Sequence, residues 1–128
     1  MMRKLDQRGV AALEFCLIAV PLFTLMFVIF DLGRYAITMQ SLRMLANSGA
    51  RQVMICYDVV NNTYAGCTGD LLPSVAVPPF LGGSTPTLNA VQGATTITVT
   101  ASLPSFTMLM PIWGTALNAP SASTSIPF

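Results

Sequence analysis

The sequence predicts an α+β fold: a long N-terminal helix, first transmembrane and then an amphipathic stalk, packed on a small antiparallel β head. Three observations carry this expectation. Residues 10–30 form an apolar run with two polar members, residues 35–56 repeat apolar side chains at helical spacing, and residues 95–103 alternate with a period of two. The chain therefore divides into a leader at 1–9, a spanning helix at 10–30, a helical extension at 31–57 and an exported head at 58–128.

The spanning helix comes first. Its 21 residues, 10–30, contain only two polar side chains, Glu14 and Thr24. At about 1.5 Å per residue such a helix reaches roughly 30 Å, the thickness of a bilayer's hydrocarbon core. Arg3, Lys4 and Arg8 precede it, offset only by Asp6. The positive-inside rule then keeps the N-terminus in the cytoplasm and exports everything after Phe30. Asp31 and Arg34 mark the far interface, three apart and within reach of each other on a helix. The run is longer than the roughly 7–15 apolar residues of a cleaved signal, and no small-residue cleavage box follows it, so the span is expected to be retained.

Beyond Arg34 the apolar residues become periodic. Tyr35, Met39, Leu42, Ala46, Gly49, Val53 and Cys56 recur at intervals of three and four, while Gln40, Arg43, Asn47 and Arg51 fall on the opposite face. The helix is expected to continue as an amphipathic stalk to about Tyr57, with the C-terminal half covering its apolar stripe. The small residues Ala46, Ser48, Gly49 and Ala50 allow close approach of a backbone, either a sheet of the same chain or another subunit.

Residues 58–94 read as loop-rich, because Asn61-Asn62, Gly66, Gly69, Pro73, Pro78-Pro79, Gly82-Gly83 and Pro86 interrupt the chain too often for a long element. A short strand or turn is weighed at 71–77. The clearest strand is 95–103, with Ile97, Val99, Ala101 and Leu103 on one side and hydroxyl residues on the other, ended by Pro104. Residues 106–113 form an apolar connection whose Met108, Leu109, Met110 and Trp113 either cover the core or dip toward the bilayer surface. A second strand is placed at 115–117 and again near 121–125, with Pro120 restricting it to an edge. Two antiparallel strands on the stalk complete the expected head.

Of the three cysteines, Cys16 lies in the apolar run and reads as a small apolar residue. Cys56 and Cys67 lie in the exported part, where a disulfide is permitted. Bridged, they close a short loop at the end of the stalk, a constraint of about 3 kcal/mol in the chain-entropy model. The alternative is two free buried thiols. With no histidine and no further close cysteine pair, no zinc site is expected. Asp58 and Asp70 read as solvated carboxylates, Asn61-Asn62-Thr63 as a chance match to a glycosylation acceptor, and Leu81-Gly82-Gly83-Ser84-Thr85 as a loop lacking the lysine of a phosphate-binding motif.

Composition narrows the function. Hydrophobic residues make up 53% of the 128 and charged residues 9%, against about 25% charged in ordinary soluble domains. A membrane or a large partner surface is needed to accommodate that deficit. A net charge of +1, with basic residues scattered singly after Arg8, argues against nucleic acid. Histidine is absent and only five carboxylates are present, so general acid–base chemistry has almost no candidates. No catalytic residue, cofactor, metal or small-molecule substrate is expected.

Gln7-Arg8-Gly9 followed by Val10-Ala11-Ala12-Leu13-Glu14-Phe15 resembles the processing site of Flp-type prepilins and their TadE-like relatives. The likeness continues through Pro21-Leu22-Phe23, Phe30-Asp31-Leu32-Gly33-Arg34 and Leu45-Ala46-Asn47-Ser48-Gly49-Ala50-Arg51, covering about residues 7–51. The resemblance implies cleavage after Gly9 by a prepilin peptidase, leaving Val10 as the new N-terminus and Glu14 as the fifth residue. It further implies assembly roles for Glu14, Phe15 and Pro21, and as partners the membrane, other pilin or pseudopilin subunits and the pilus assembly machinery.

A carboxylate within an apolar helix is costly, about 2.5–3.5 kcal/mol at the bilayer centre and less near an interface. Glu14 either snorkels to the cytoplasmic headgroups or, after cleavage, pairs with the Val10 ammonium of a neighbouring subunit. Pro21 is either an ordinary transmembrane proline or, as the resemblance implies, a place where the helix unwinds on packing.

The expected function is that of a non-catalytic minor pilin or pseudopilin of a Flp, tight-adherence-type pilus, held in the bacterial inner membrane by a single pass with its head exported. The other reading is an uncleaved membrane-anchored binding module of the cell envelope. Val10 departs from the phenylalanine that type II secretion pseudopilins place after the glycine. The chain is also longer than major Flp pilins and shorter than TadG-like relatives.

Overall fold

A computed structural model describes residues 7–56, 68–72, 76–81 and 83–127. Its first element, α1, is a single helix from Gln7 to Cys56, 50 residues and about 75 Å long at 1.5 Å per residue. It runs without interruption through Pro21, whose missing N–H leaves the carbonyl one turn back without its usual donor. Thr24, Thr38 and Ser48 each turn their hydroxyl onto the carbonyl four residues earlier, at 2.8, 2.8 and 2.9 Å. In this way the hydroxyl of Thr24 is satisfied inside the apolar run by the helix's own backbone.

The two halves of α1 differ in what surrounds them. Residues 9–30 are exposed apart from the half-buried Ala19 and Val28, whereas the second half buries one stripe. Leu42, Leu45, Ala46, Ala50 and Val53 are buried there, and Tyr35 and Met39 pack at its margin. The stripe expected from periodicity is present at Tyr35, Met39, Leu42, Ala46, Gly49 and Val53. Leu45 joins it, while Cys56 is exposed. Gln40, Arg43, Asn47 and Arg51 all face outward.

The stripe is covered by a four-stranded antiparallel sheet in sequential order: β1 (Gly69–Asp70), β2 (Thr87–Gln92), β3 (Thr96–Ser102) and β4 (Ser121–Pro127). β3 alternates as expected, with Ile97, Val99 and Ala101 buried between half-exposed hydroxyl residues. Register stacks these onto their neighbours: Val99 lies between Ala90 and Thr124, and Ile97 lies opposite Ile126. Leu88, Ala90 and Ile126 complete the inner face, and Leu71, Leu81, Leu103 and Phe106 close the core around it. The outer face carries hydroxyls, of which Thr87 and Ser102 lie 2.7 Å apart.

Gly49 fixes how closely helix and sheet approach. A Cβ there would stand 2.9 Å from Cγ1 of Val99 and 3.1 Å from a methyl of Leu88, nearer than packed carbons allow. The small-residue cluster is therefore divided: Ala46, Gly49 and Ala50 meet the chain's own sheet, whereas Ser48 faces outward.

Three expectations need correction. The head has four strands rather than two, because β2 lies within the stretch read as loop and β1 pairs with its edge. Residues 115–117 are turns, not strand, held by N–H donations from Ala116 to Trp113 and from Asn118 to Thr115. β3 is shorter than 95–103: Gly93 donates its N–H to the Thr96 carbonyl at 2.7 Å, so the turn occupies residue 95, and Leu103 already donates to Pro120.

Candidate functional site

The residues tied to processing and assembly all lie on the uncovered half of α1. Gly9, Val10, Glu14 and Phe15 are exposed, Phe15 by 70%. Gly9 is helical, has no positive φ, and a Cβ there would meet nothing within 4 Å. Glycine costs about 1 kcal/mol relative to alanine in a helix, and neither backbone geometry nor packing among the described residues calls for it at this position. Val10 and Glu14 stand one helical turn apart on the same side, and among the described residues Glu14 has no ion-pair partner. Pro21 sits within continuous helix, so unwinding is not a feature of the isolated chain. The charged leader residues Arg3, Lys4 and Asp6 lie outside the described residues, as do Asp58 and Asn61 to Thr63.

At the other end of the apolar run the structure builds a junction that the sequence reading only half identified. Asp31 is 1% exposed. Its Oδ1 accepts the backbone N–H of Leu109 at 3.2 Å and its Oδ2 that of Met110 at 3.0 Å. The guanidinium of Arg34 approaches the same Oδ1 at 3.5 Å, the contact expected from their spacing. Arg34 also lies over the Phe106 ring, 5.4 Å from its centroid, and Tyr35 meets that ring at 6.2 Å with planes inclined by 57°. Asp31, Arg34 and Tyr35, one turn of helix, thus hold the first half of the connection between β3 and β4, at Phe106, Leu109 and Met110.

That connection is internally pinned as well. Asn118 accepts the N–H of Met108 at 3.0 Å, Ala119 donates to the Phe106 carbonyl at 3.0 Å, and Ala119 takes a left-handed φ of 50° to do so. Farther up the stalk, the Thr124 hydroxyl donates to Oδ1 of Asn47 at 2.9 Å, fastening β4 to α1. The helix and head are consequently joined by polar contacts at both levels, with Leu42, Leu45 and Ala46 of the apolar core between them and Ala50 and Val53 beyond.

Cys56 closes the helix and is disulfide-bonded, while Cys16 is a free, exposed thiol in the apolar run. Cys67, its expected partner, lies outside the described residues. Asp70 uses its carboxylate locally, accepting the N–H of Leu72 at 3.0 Å. Among the described residues no three His, Cys, Asp or Glu side chains come together.

α1 is long and apolar enough to cross a membrane, and none of its apolar window is buried by the head. The family profile described as TadE-like protein matches residues 9–51. The match begins at Gly9 and runs through the span, the Asp31 turn and the Gly49 approach, ending on the exposed Arg51. No curated protein and no solved structure matches the chain.

Proposed function

We propose, from the TadE-like character of residues 9–51, that the chain is a non-catalytic minor pilin or pseudopilin of a Flp, tight-adherence-type pilus. In this reading a prepilin peptidase cuts between Gly9 and Val10 and the head is exported. α1 anchors the subunit in the inner membrane before it joins other pilin subunits.

The observation that carries the reading is the uncovered half of α1. Residues 9–30 present large apolar side chains on every side, with Phe15, Leu17, Val20, Leu22 and Ile29 each more than half exposed. Burial of such side chains is worth about 1.5–3 kcal/mol apiece, so the segment needs lipid or other helices around it. A membrane serves before assembly and neighbouring subunits after it. Glu14 fits the second environment: a carboxylate without an ion-pair partner among the described residues gains one from the ammonium freed at Val10 of a neighbour.

Chain deletion in the native host, complemented by wild type or Glu14→Ala, tests this. Loss of surface pili on deletion, restored by wild type and not by Glu14→Ala, is the expected outcome. Normal piliation without the chain would contradict the proposal and favour an anchored envelope-binding module.

A further inference from the structure

The junction at Asp31 fixes the height of the head relative to the apolar span. Asp31 is the first residue after the run at 10–30, about 1.5 Å of rise beyond Phe30. Its two carboxylate oxygens hold the N–H groups of Leu109 and Met110. The turn at residues 108–113 therefore lies at the level where the span leaves the hydrocarbon. A run of 21 residues is about as long as that layer is thick.

The chemistry of the turn matches this level. Leu109 is 74% and Ile112 58% exposed, although both flank a core with Leu103 and Phe106 buried. From residue 71 to residue 128 the chain has no Asp, Glu, Lys or Arg, so the turn brings no charged side chain of its own toward lipid. Arg34, its side chain 48% exposed, stands nearly one turn above Asp31, where a long basic side chain can reach toward lipid phosphates. Trp113, the only tryptophan in the chain, lies half-buried in the same turn, its indole Nε1 buried and without a hydrogen-bond partner among the described residues, so it reports on the turn from within it.

We propose that the turn at residues 108–113 is a membrane foot, with Leu109 and Ile112 set into the interfacial layer of the far leaflet. The head then rests on lipid beside its own helix and is not held clear of the surface on a free stalk. This inference rests on the membrane anchoring of α1 in the proposed function. It adds a second lipid contact, from a part of the chain about 80 residues away in sequence.

Trp113 supplies the test. The full chain is reconstituted into vesicles of phosphatidylethanolamine and phosphatidylglycerol containing lipids brominated either high on the acyl chain or near its end. Flotation first reports whether the chain is anchored. Emission from Trp113 is expected to be quenched at least twofold more by the shallow bromines than by the deep ones. The double variant Leu109→Asp/Ile112→Asp, which leaves the span intact, should still float and should lose most of that quenching. Flotation with Trp113 emission indifferent to bromine would overturn the foot while leaving the anchor standing. So would a spectrum that instead changes with the protein-to-lipid ratio, which would assign the surface to a second copy. Undiminished quenching in the double variant would remove Leu109 and Ile112 from the contact. A chain that fails to float would remove both the anchor and the foot.

Discussion

The carboxylate of Asp31 accepts the backbone N–H of Met110 at 3.0 Å, joining positions 79 apart in the chain at the point where the apolar run ends. With the companion bond from Leu109, one buried side chain satisfies two successive amides of an otherwise irregular connection. Charge-assisted hydrogen bonds of this kind are worth about 1.5–3 kcal/mol each, and their loss leaves the donors unpaired. Asp31 thus makes the turn of α1 just beyond the apolar run a platform for the head.

Asp31→Ala should accordingly loosen the connection more than the core. The amides of Leu109 and Met110 are expected to lose hydrogen-exchange protection, with the head destabilised by about 3–6 kcal/mol. β3, centred on Val99, should retain its relative protection. Uniform loss across the sheet would show that the junction is not a separate unit.

Gly49→Val tests the close approach of helix and sheet. The new side chain meets Val99 and Leu88 at distances that packed carbons do not adopt, and overpacking of this kind costs about 1–3 kcal/mol. Thermal unfolding in detergent followed by Trp113 fluorescence should show the loss. An unchanged midpoint would mean that the helix and sheet separate freely.

Much of this architecture is legible in the residues themselves, for identifiable reasons. β3 is plain because Ile97, Val99 and Ala101 alternate with threonines, and the stalk is plain because Leu42, Ala46, Gly49 and Val53 keep helical spacing. β2 has the same alternation, with Leu88 and Ala90 inward, but Asn89, Gln92 and a small alanine weaken its β character, and nearby glycines and prolines suggest a loop. The partnership of Asp31 is harder still. Spacing shows Arg34 within reach, yet the decisive donors are backbone amides far along the chain, and a main-chain N–H leaves no mark in a sequence. The cue that was available is the apolar run at 106–113, which needs a surface to lie on.

The cysteine pair makes a covalent prediction. Peptide mapping without reduction should recover Cys56 linked to Cys67 and leave Cys16 alkylatable once the chain is solubilised. Cys56→Ser should lower stability by about 2–5 kcal/mol. A map in which Cys67 carries alkylating label would contradict the bridge.

Gly9→Val separates processing from folding. Because no described side chain lies near Gly9, the head should unfold at the same temperature as wild type, within about 0.5 kcal/mol. The unprocessed form should nevertheless accumulate in membranes that contain the prepilin peptidase. Normal maturation of this variant would mean that the peptidase does not read position 9.

The most direct measurement is the mature N-terminus of the native protein, taken by intact mass and terminal sequencing from membranes with and without the prepilin peptidase. The account predicts a chain beginning at Val10 when the peptidase is present and retaining residues 1–9 when it is absent. A chain that keeps residues 1–9 in both membranes would contradict it and leave an uncleaved, anchored binding module.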